Sequence, residues 1–133
     1  PFQSISEAIQ LINQQIEQME IESHNLFLAG FSQGASIALE MAMQDHNKFA
    51  GVVALSPRIF PRDELLLNKK YEHIDAFIAH GKFDEAIPYN ETSNGIEELN
   101  KTGMKIEFKS YEMAHEIDIQ EIMDLRDWLN DRI

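Results

Sequence analysis

Apolar positions recur along this chain first with a helical period and then in short, isolated runs. From Ser4 to Glu20 the residues Ile5, Ile9, Ile12, Ile16 and Met19 fall at alternating steps of four and three. Ser4 and Glu7 form a capping-box pair in front of them, so a helix is predicted whose apolar stripe lies against a neighbour, most simply a sheet. Leu26-Phe27-Leu28-Ala29, bounded by His24-Asn25 and Gly30, suits a buried strand. Ala35 to Gln44 reads as a helix with a small-residue face of Ala35, Ser36, Ala38 and Ala42. Val52 to Leu55 is a second buried strand, halted by Ser56-Pro57. A mixed loop, Arg58 to Arg62, leads into a short helix around Asp63 to Leu67. Ile74 to Ala79 is a third strand, ended by His80-Gly81. Tyr89 to Lys101 is helical despite Gly95, with Gly103 as its C-terminal cap. Ile106 to Tyr111 alternates like a half-exposed edge strand, and Asp118 to Arg132 closes the chain as a helix capped by Asp118 and Glu121.

Strands alternating with helices imply parallel β–α units wound around one sheet. The fold class is therefore α/β, with about four strands flanked by helices. No repeat, low-complexity tract or linker interrupts residues 1–133, and 133 residues suffice for one domain with a real core.

Composition narrows the function classes. A net charge of −12 argues against nucleic acid or an anionic membrane surface as a main partner. No apolar run reaches the roughly 18 residues of a membrane span. Pro1 to Glu22 is amphipathic and does not resemble a signal peptide. Zero cysteines exclude disulfides, thiolate metal sites and a cysteine nucleophile, and fit a reducing cytoplasm.

Gly30-Phe31-Ser32-Gln33-Gly34 carries the sharpest chemical signal. In a G-x-S-x-G elbow the serine occupies a strained turn between a buried strand and a helix, and flanking glycines remove side chains that would clash there. Here the pentapeptide follows an apolar strand and opens an alanine-rich helix. The plainer alternative is a glycine-rich turn that only packs, or that binds a phosphate at the helix N-terminus. If Ser32 is a nucleophile, the backbone N–H of Gln33 stands where an oxyanion develops.

A serine hydroxyl needs a base to take its proton, and the base needs an orienting acid. Asp84 lies in the loop after the Ile74–Ala79 strand, at the carboxyl end where parallel sheets place their sites. Asp75 would sit at the wrong end, Glu85 is not excluded by spacing, and a turn-forming role for Asp84 is the plain alternative. His115 follows the last strand. Of the other histidines, His24 and His73 precede strands and His46 ends a helix. His80 comes before the acid in sequence and suits a supporting or structural place. The order Ser32, Asp84, His115 matches that of α/β-hydrolases.

The blocks Gly30-Phe31-Ser32-Gln33-Gly34-Ala35, Leu55-Ser56, His80 to Pro88 and Tyr111 to Ile117 resemble the phospholipase/carboxylesterase family, to which acyl-protein thioesterases belong. The resemblance runs through nearly the whole chain. It implies hydrolysis of carboxylic ester or thioester bonds through a Ser–His–Asp triad and an acyl-enzyme, without metal or cofactor. Ser32 would be the nucleophile, Asp84 the orienting acid, His115 the base, and Gln33 a backbone oxyanion donor. The partner would be a small-molecule or lipid acyl ester or thioester. The loop Ser56 to Leu66 would shape an acyl groove, with Ile59 and Phe60 as substrate-binding candidates; packing of both onto the core is the plain alternative. The family's N-terminal strands, and its His-Gly loop with a second oxyanion N–H, have no counterpart in this sequence. Ala114 stands where glycine often precedes the family histidine. The chain is accordingly expected to be an N-terminally incomplete hydrolase domain whose Leu26–Ala29 strand has an unpaired apolar edge, which offers a site for a homodimer. The contrasting expectation is an inactive fragment that serves as a binding or dimerisation module.

Overall fold

A computed structural model of the chain describes residues 2–19, 26–44, 48–59 and 67–133. In chain order these hold α1 (Phe2–Met19), β1 (Phe27–Phe31), α2 (Gln33–Gln44), β2 (Gly51–Leu55), β3 (Asp75–Gly81), α3 (Tyr89–Asn100), β4 (Lys105–Tyr111) and α4 (Ile119–Asn130). The helix expected around Asp63 falls mostly outside the described residues.

The four strands form one parallel sheet in the order β1-β2-β3-β4. Alternation of side chains across each strand sorts the core into two layers. Val52, Ala54, Ala76 and Ile78 face α2 and α3, where Ala35, Ala38, Leu39, Ile96 and Leu99 cover them. Val53, Leu55, Phe77 and Ala79 face α4 and pack with Tyr111, Met113 and Trp128. The small face of α2 lets that helix lie close to the sheet, and four of its alanine and serine residues are buried. At the ends of the order, β1 pairs only with β2 and β4 only with β3 among the described residues.

The sequence reading needs adjustment in several places. The first helix starts at Phe2, so the Ser4 backbone lies inside it instead of at its start. Its stripe is only half used: Ile9 and Ile16, two turns apart on one line, are buried, while Ile12 and Met19 are exposed. Ile9 and Ile16 pack with Met41 of α2 and with Phe49, and Leu28 of β1 joins the same cluster, so α1 rests on α2 and on the β1 end of the sheet. The second helix begins at Gln33, directly after the turn, because the chain passes from strand to helix through a single residue. The third strand includes His80 and Gly81, which pair with Ser110 and Tyr111 of β4 and so prolong the ladder.

Of the two caps expected later in the chain, one is found. Asp118 and Glu121 complete a reciprocal capping box at α4, whereas α3 is capped by Lys101 and not by Gly103, which takes a φ of 84° two residues further on.

Candidate active site

Ser32 follows the last residue of β1 and precedes the first of α2. Its φ of 58° lies in the left-handed region, which costs a non-glycine residue energy and is held only by surrounding structure. Two contacts hold it here. The Ser32 N–H donates to the Leu55 carbonyl at 2.9 Å, and the Ser32 carbonyl accepts from the Ser36 N–H at 3.2 Å. Gly30 is required by close approach: a Cβ there would meet the Gly34 carbonyl carbon and oxygen at 2.3 Å. Gly34 differs from expectation, since a Cβ there meets nothing within 4 Å. Only one of the two flanking glycines thus answers to crowding among the described residues.

Asp84 stands in the turn that continues β3, and it is 6% exposed. Its Oδ1 accepts the Ile87 N–H at 2.8 Å. Its Oδ2 accepts from His115 Nδ1 at 2.7 Å. Burial works against ionising this carboxyl, but the Ile87 N–H, the His115 hydrogen bond and the neighbouring imidazoles outweigh it, and Asp84 stays below the usual carboxylate range. Glu85, which spacing left open, is exposed. Asp75 starts β3 at the opposite end and pairs with Arg132 at 3.1 Å.

His115 lies on the loop between β4 and α4, with Nε2 2.9 Å from Ser32 Oγ. The loop is stapled at both ends. Lys82 N–H donates to the Tyr111 carbonyl at 2.8 Å, and Phe83 N–H to the Met113 carbonyl at 3.1 Å, so the loops carrying Asp84 and His115 continue the β3–β4 pairing. Tyr111 Oη donates to Asp124 Oδ2 at 2.7 Å, tying the end of β4 to α4 across the loop. Burial, and then that hydrogen bond, push the Tyr111 hydroxyl above its ordinary value. Glu121 is fully buried at the start of α4, and burial raises its carboxyl to about 7.

Ser32, His115 and Asp84 therefore form one continuous hydrogen-bonded line. With Nδ1–H directed at the carboxylate, Nε2 presents its lone pair to the serine hydroxyl, as proton abstraction requires. Gln33 is the first residue of α2, and the N–H groups of a helix's first turn lack intrahelical carbonyl partners. Two side chains beyond the sequence reading also belong to this corner. The Phe31 ring lies 5.0 Å from the His115 ring, although only its place inside the pentapeptide pointed to it. Ser36 Oγ donates to the Arg58 carbonyl at 2.7 Å and accepts from its N–H at 3.0 Å, clamping the loop after β2 to α2.

Ile59 lies against α3, where a Cβ on Gly95 would come within 2.7 Å of its own Cβ, and it packs on the core. Phe60, His24 and His46 lie outside the described residues. A groove of about 480 Å³ is lined by Arg58, Ile59, Glu91, Asn94, Gly95, Glu97 and Glu98, and none of Ser32, Asp84 or His115 lines it. Among the described residues no group of three or more His, Asp or Glu is placed to hold a metal ion, and no helix is long and apolar enough to cross a membrane.

Comparison with known proteins places these features in a wider set. The family described as phospholipase/carboxylesterase matches residues 2–133. Acyl-protein thioesterase 1 of Cryptococcus neoformans is 32% identical over 148 residues, covering 96% of this chain and 61% of that protein. The protein of the same name from Debaryomyces hansenii is 30% identical, covering 91% of this chain and 54% of its own length. The chain thus spans between about half and three-fifths of these relatives. Among solved structures, the Bacillus cereus carboxylesterase superposes with a TM-score of 0.83 at 18% identity over 97% of this chain and 60% of that one. Arabidopsis thaliana SOBER1 gives 0.81 at 21% identity over 98% and 63%. At these identities the structural matches speak for the fold alone.

Proposed function

The chain belongs to the phospholipase/carboxylesterase family of α/β-hydrolases, and from that membership we propose that it carries the catalytic side chains of a serine hydrolase cleaving carboxylic ester or thioester bonds. The observation that carries this reading is the unbroken line from Ser32 Oγ through His115 to Asp84, at 2.9 and 2.7 Å.

In the proposed mechanism His115 Nε2 takes the hydroxyl proton as Ser32 Oγ bonds to the acyl carbon. Asp84 holds the imidazole by Nδ1 and stabilises the imidazolium that forms. Negative charge develops on the carbonyl oxygen, where the Gln33 N–H donates. Collapse of the tetrahedral species breaks the bond to the alkoxide or thiolate, which leaves with the proton from Nε2. Water then repeats the sequence on the acyl-enzyme, with His115 again as base, and releases the acid. The relatives named acyl-protein thioesterase favour an acyl thioester or ester as substrate. Ile59 is engaged with α3 and the core, so of the two substrate-binding candidates Phe60 alone is proposed, on the family resemblance, to border the acyl chain.

A fluorophosphonate probe read by intact mass tests the reading, because such probes react only with an activated serine. One adduct is expected on the wild-type chain and none on Ser32→Ala. An adduct retained in Ser32→Ala would refute the nucleophile assignment. No adduct on the wild type would leave this chain without the proposed activity and favour the inactive binding module.

A further inference from the structure

His80 is a second histidine at the acid, beside the same oxygen that His115 meets. It belongs to β3 and is fully buried. Its Nε2 lies 2.8 Å from the Ile87 carbonyl oxygen and 3.3 Å from Asp84 Oδ2. A carbonyl can only accept, so Nε2 carries the proton and donates to Ile87. The same Ile87 donates its N–H to Asp84 Oδ1 at 2.8 Å. Ile87 is therefore held from two directions, its N–H engaged by the carboxylate and its carbonyl by the imidazole. The carboxylate in turn faces His115 at Oδ2, with His80 also near that oxygen. Around the ring, Thr92 Oγ1 of α3 stands 3.5 Å from Nε2, and the Tyr89 ring centroid lies 6.2 Å away.

This placement is hard to explain by packing alone. Among the described residues His80 Nδ1 is buried without a hydrogen-bond partner, a cost that an apolar side chain at the same site would avoid. What an apolar side chain could not supply is the N–H that reaches the Ile87 carbonyl.

We propose that His80 is a positioning residue for the acid: through the Ile87 carbonyl and beside Oδ2, it fixes the Asp84 carboxylate in the orientation that aims His115 at Ser32. This rests on the serine-hydrolase reading for its catalytic consequence, while its structural content concerns the Asp84–His115 hydrogen bond alone.

The test compares His80→Leu, His80→Gln and His80→Asn in the full chain. Glutamine places an N–H near the position of Nε2, whereas the asparagine amide ends short of the carbonyl, so His80→Asn replaces His80→Leu should the latter not fold. Two readouts are taken: the pH profile of fluorophosphonate labelling, and the low-field proton signal of His115 Nδ1–H with the titration of its ring nitrogens by NMR. In His80→Leu or His80→Asn the labelling rate is expected to fall about tenfold to a hundredfold, the acid limb to move to lower pH, and the low-field signal to broaden or vanish. His80→Gln should stay within about threefold of wild type and keep the signal. Wild-type behaviour in His80→Leu, or equal losses in all variants, would overturn the proposal. An unlabelled wild type would sink the hydrolase reading, and the NMR signal would still decide whether His80 orients the acid.

Discussion

Ser32 and His115 both leave strands paired on one side only among the described residues, but a single bond, Ser32 N–H to Leu55, carries the β1 pairing on to the serine, whereas the β3–β4 pairing runs on through Lys82 and Phe83 into both loops. At the acid and base corner, Lys82, Phe83 and Asp84 all donate backbone hydrogen bonds within or across the two loops. Gly81 packs so tightly against the base loop that a Cβ would stand 2.2 Å from the Met113 carbonyl oxygen. At the serine corner the turn is held by the Ser32 N–H on Leu55 and by Ser36, whose hydroxyl bridges to Arg58. Backbone pairing thus sets the acid and base with little freedom, while the serine depends on a few discrete bonds around one strained residue.

The largest effect should come from filling the crowded corner. Gly81→Ala drives a methyl into two backbone carbonyls, Met113 at 2.2 Å and Ala114 at 2.5 Å, and neither belongs to a flexible side chain. The base loop must then shift away from Asp84. Fluorophosphonate labelling is expected to drop about a hundredfold. Labelling at the wild-type rate would show that the corner yields as readily as the serine turn, and the contrast would disappear.

The next largest effect concerns Glu121, which anchors the helix after His115. Its folded value of about 7 stands above the ordinary 4.5 because burial disfavours the charge. A raised carboxyl stabilises the fold fully below the unfolded value, and that contribution is lost as pH rises through the folded one. Between those limits the wild type should lose roughly 3 kcal/mol that Glu121→Gln does not lose. Urea unfolding of both proteins at several pH values measures the difference, and parallel pH curves would refute it.

The smallest effect is expected at the serine corner. Ser36→Ala removes two hydrogen bonds to Arg58 and should cost about 1 kcal/mol. The Ser32–Leu55 bond survives, so labelling should change less than about threefold. A labelling loss matching that of Gly81→Ala would mean that the clamp on the loop after β2, and not the strand pairing, limits the site.

Much of this was legible in the chain itself. The apolar runs at 52–55 and 74–79 mark two of the strands, since a strand buried on both faces shows a continuous run instead of an alternating one. The run at 26–29 also marks a strand, but β1 is only half-buried and Ala29 is exposed, so the expectation of a buried strand does not hold there. The Asp118–Glu121 box marks the last helix because its two bonds are local in sequence. Other features were not legible. Whether Ile12 and Met19 are covered depends on where α1 lies, and periodicity records a stripe without naming what covers it. Glu85 could not be separated from Asp84 by spacing, because the decision rests on which carboxylate meets both Ile87 and a histidine 31 residues away. The extension of β3 through Gly81 depended on Ser110 and Tyr111 of another strand.

The sequence by itself determined the alternation of strands and helices, the serine in its turn and the place of Asp84 and His115 each in a loop after a strand, because each is encoded in neighbours a few positions apart. Tertiary structure alone decided which carboxylate faces His115, that His80 lies beside the same oxygen of that acid, and why Gly30 is needed but Gly34 is not crowded. Those outcomes turn on distances between segments far apart in the chain, and only packing fixes such distances.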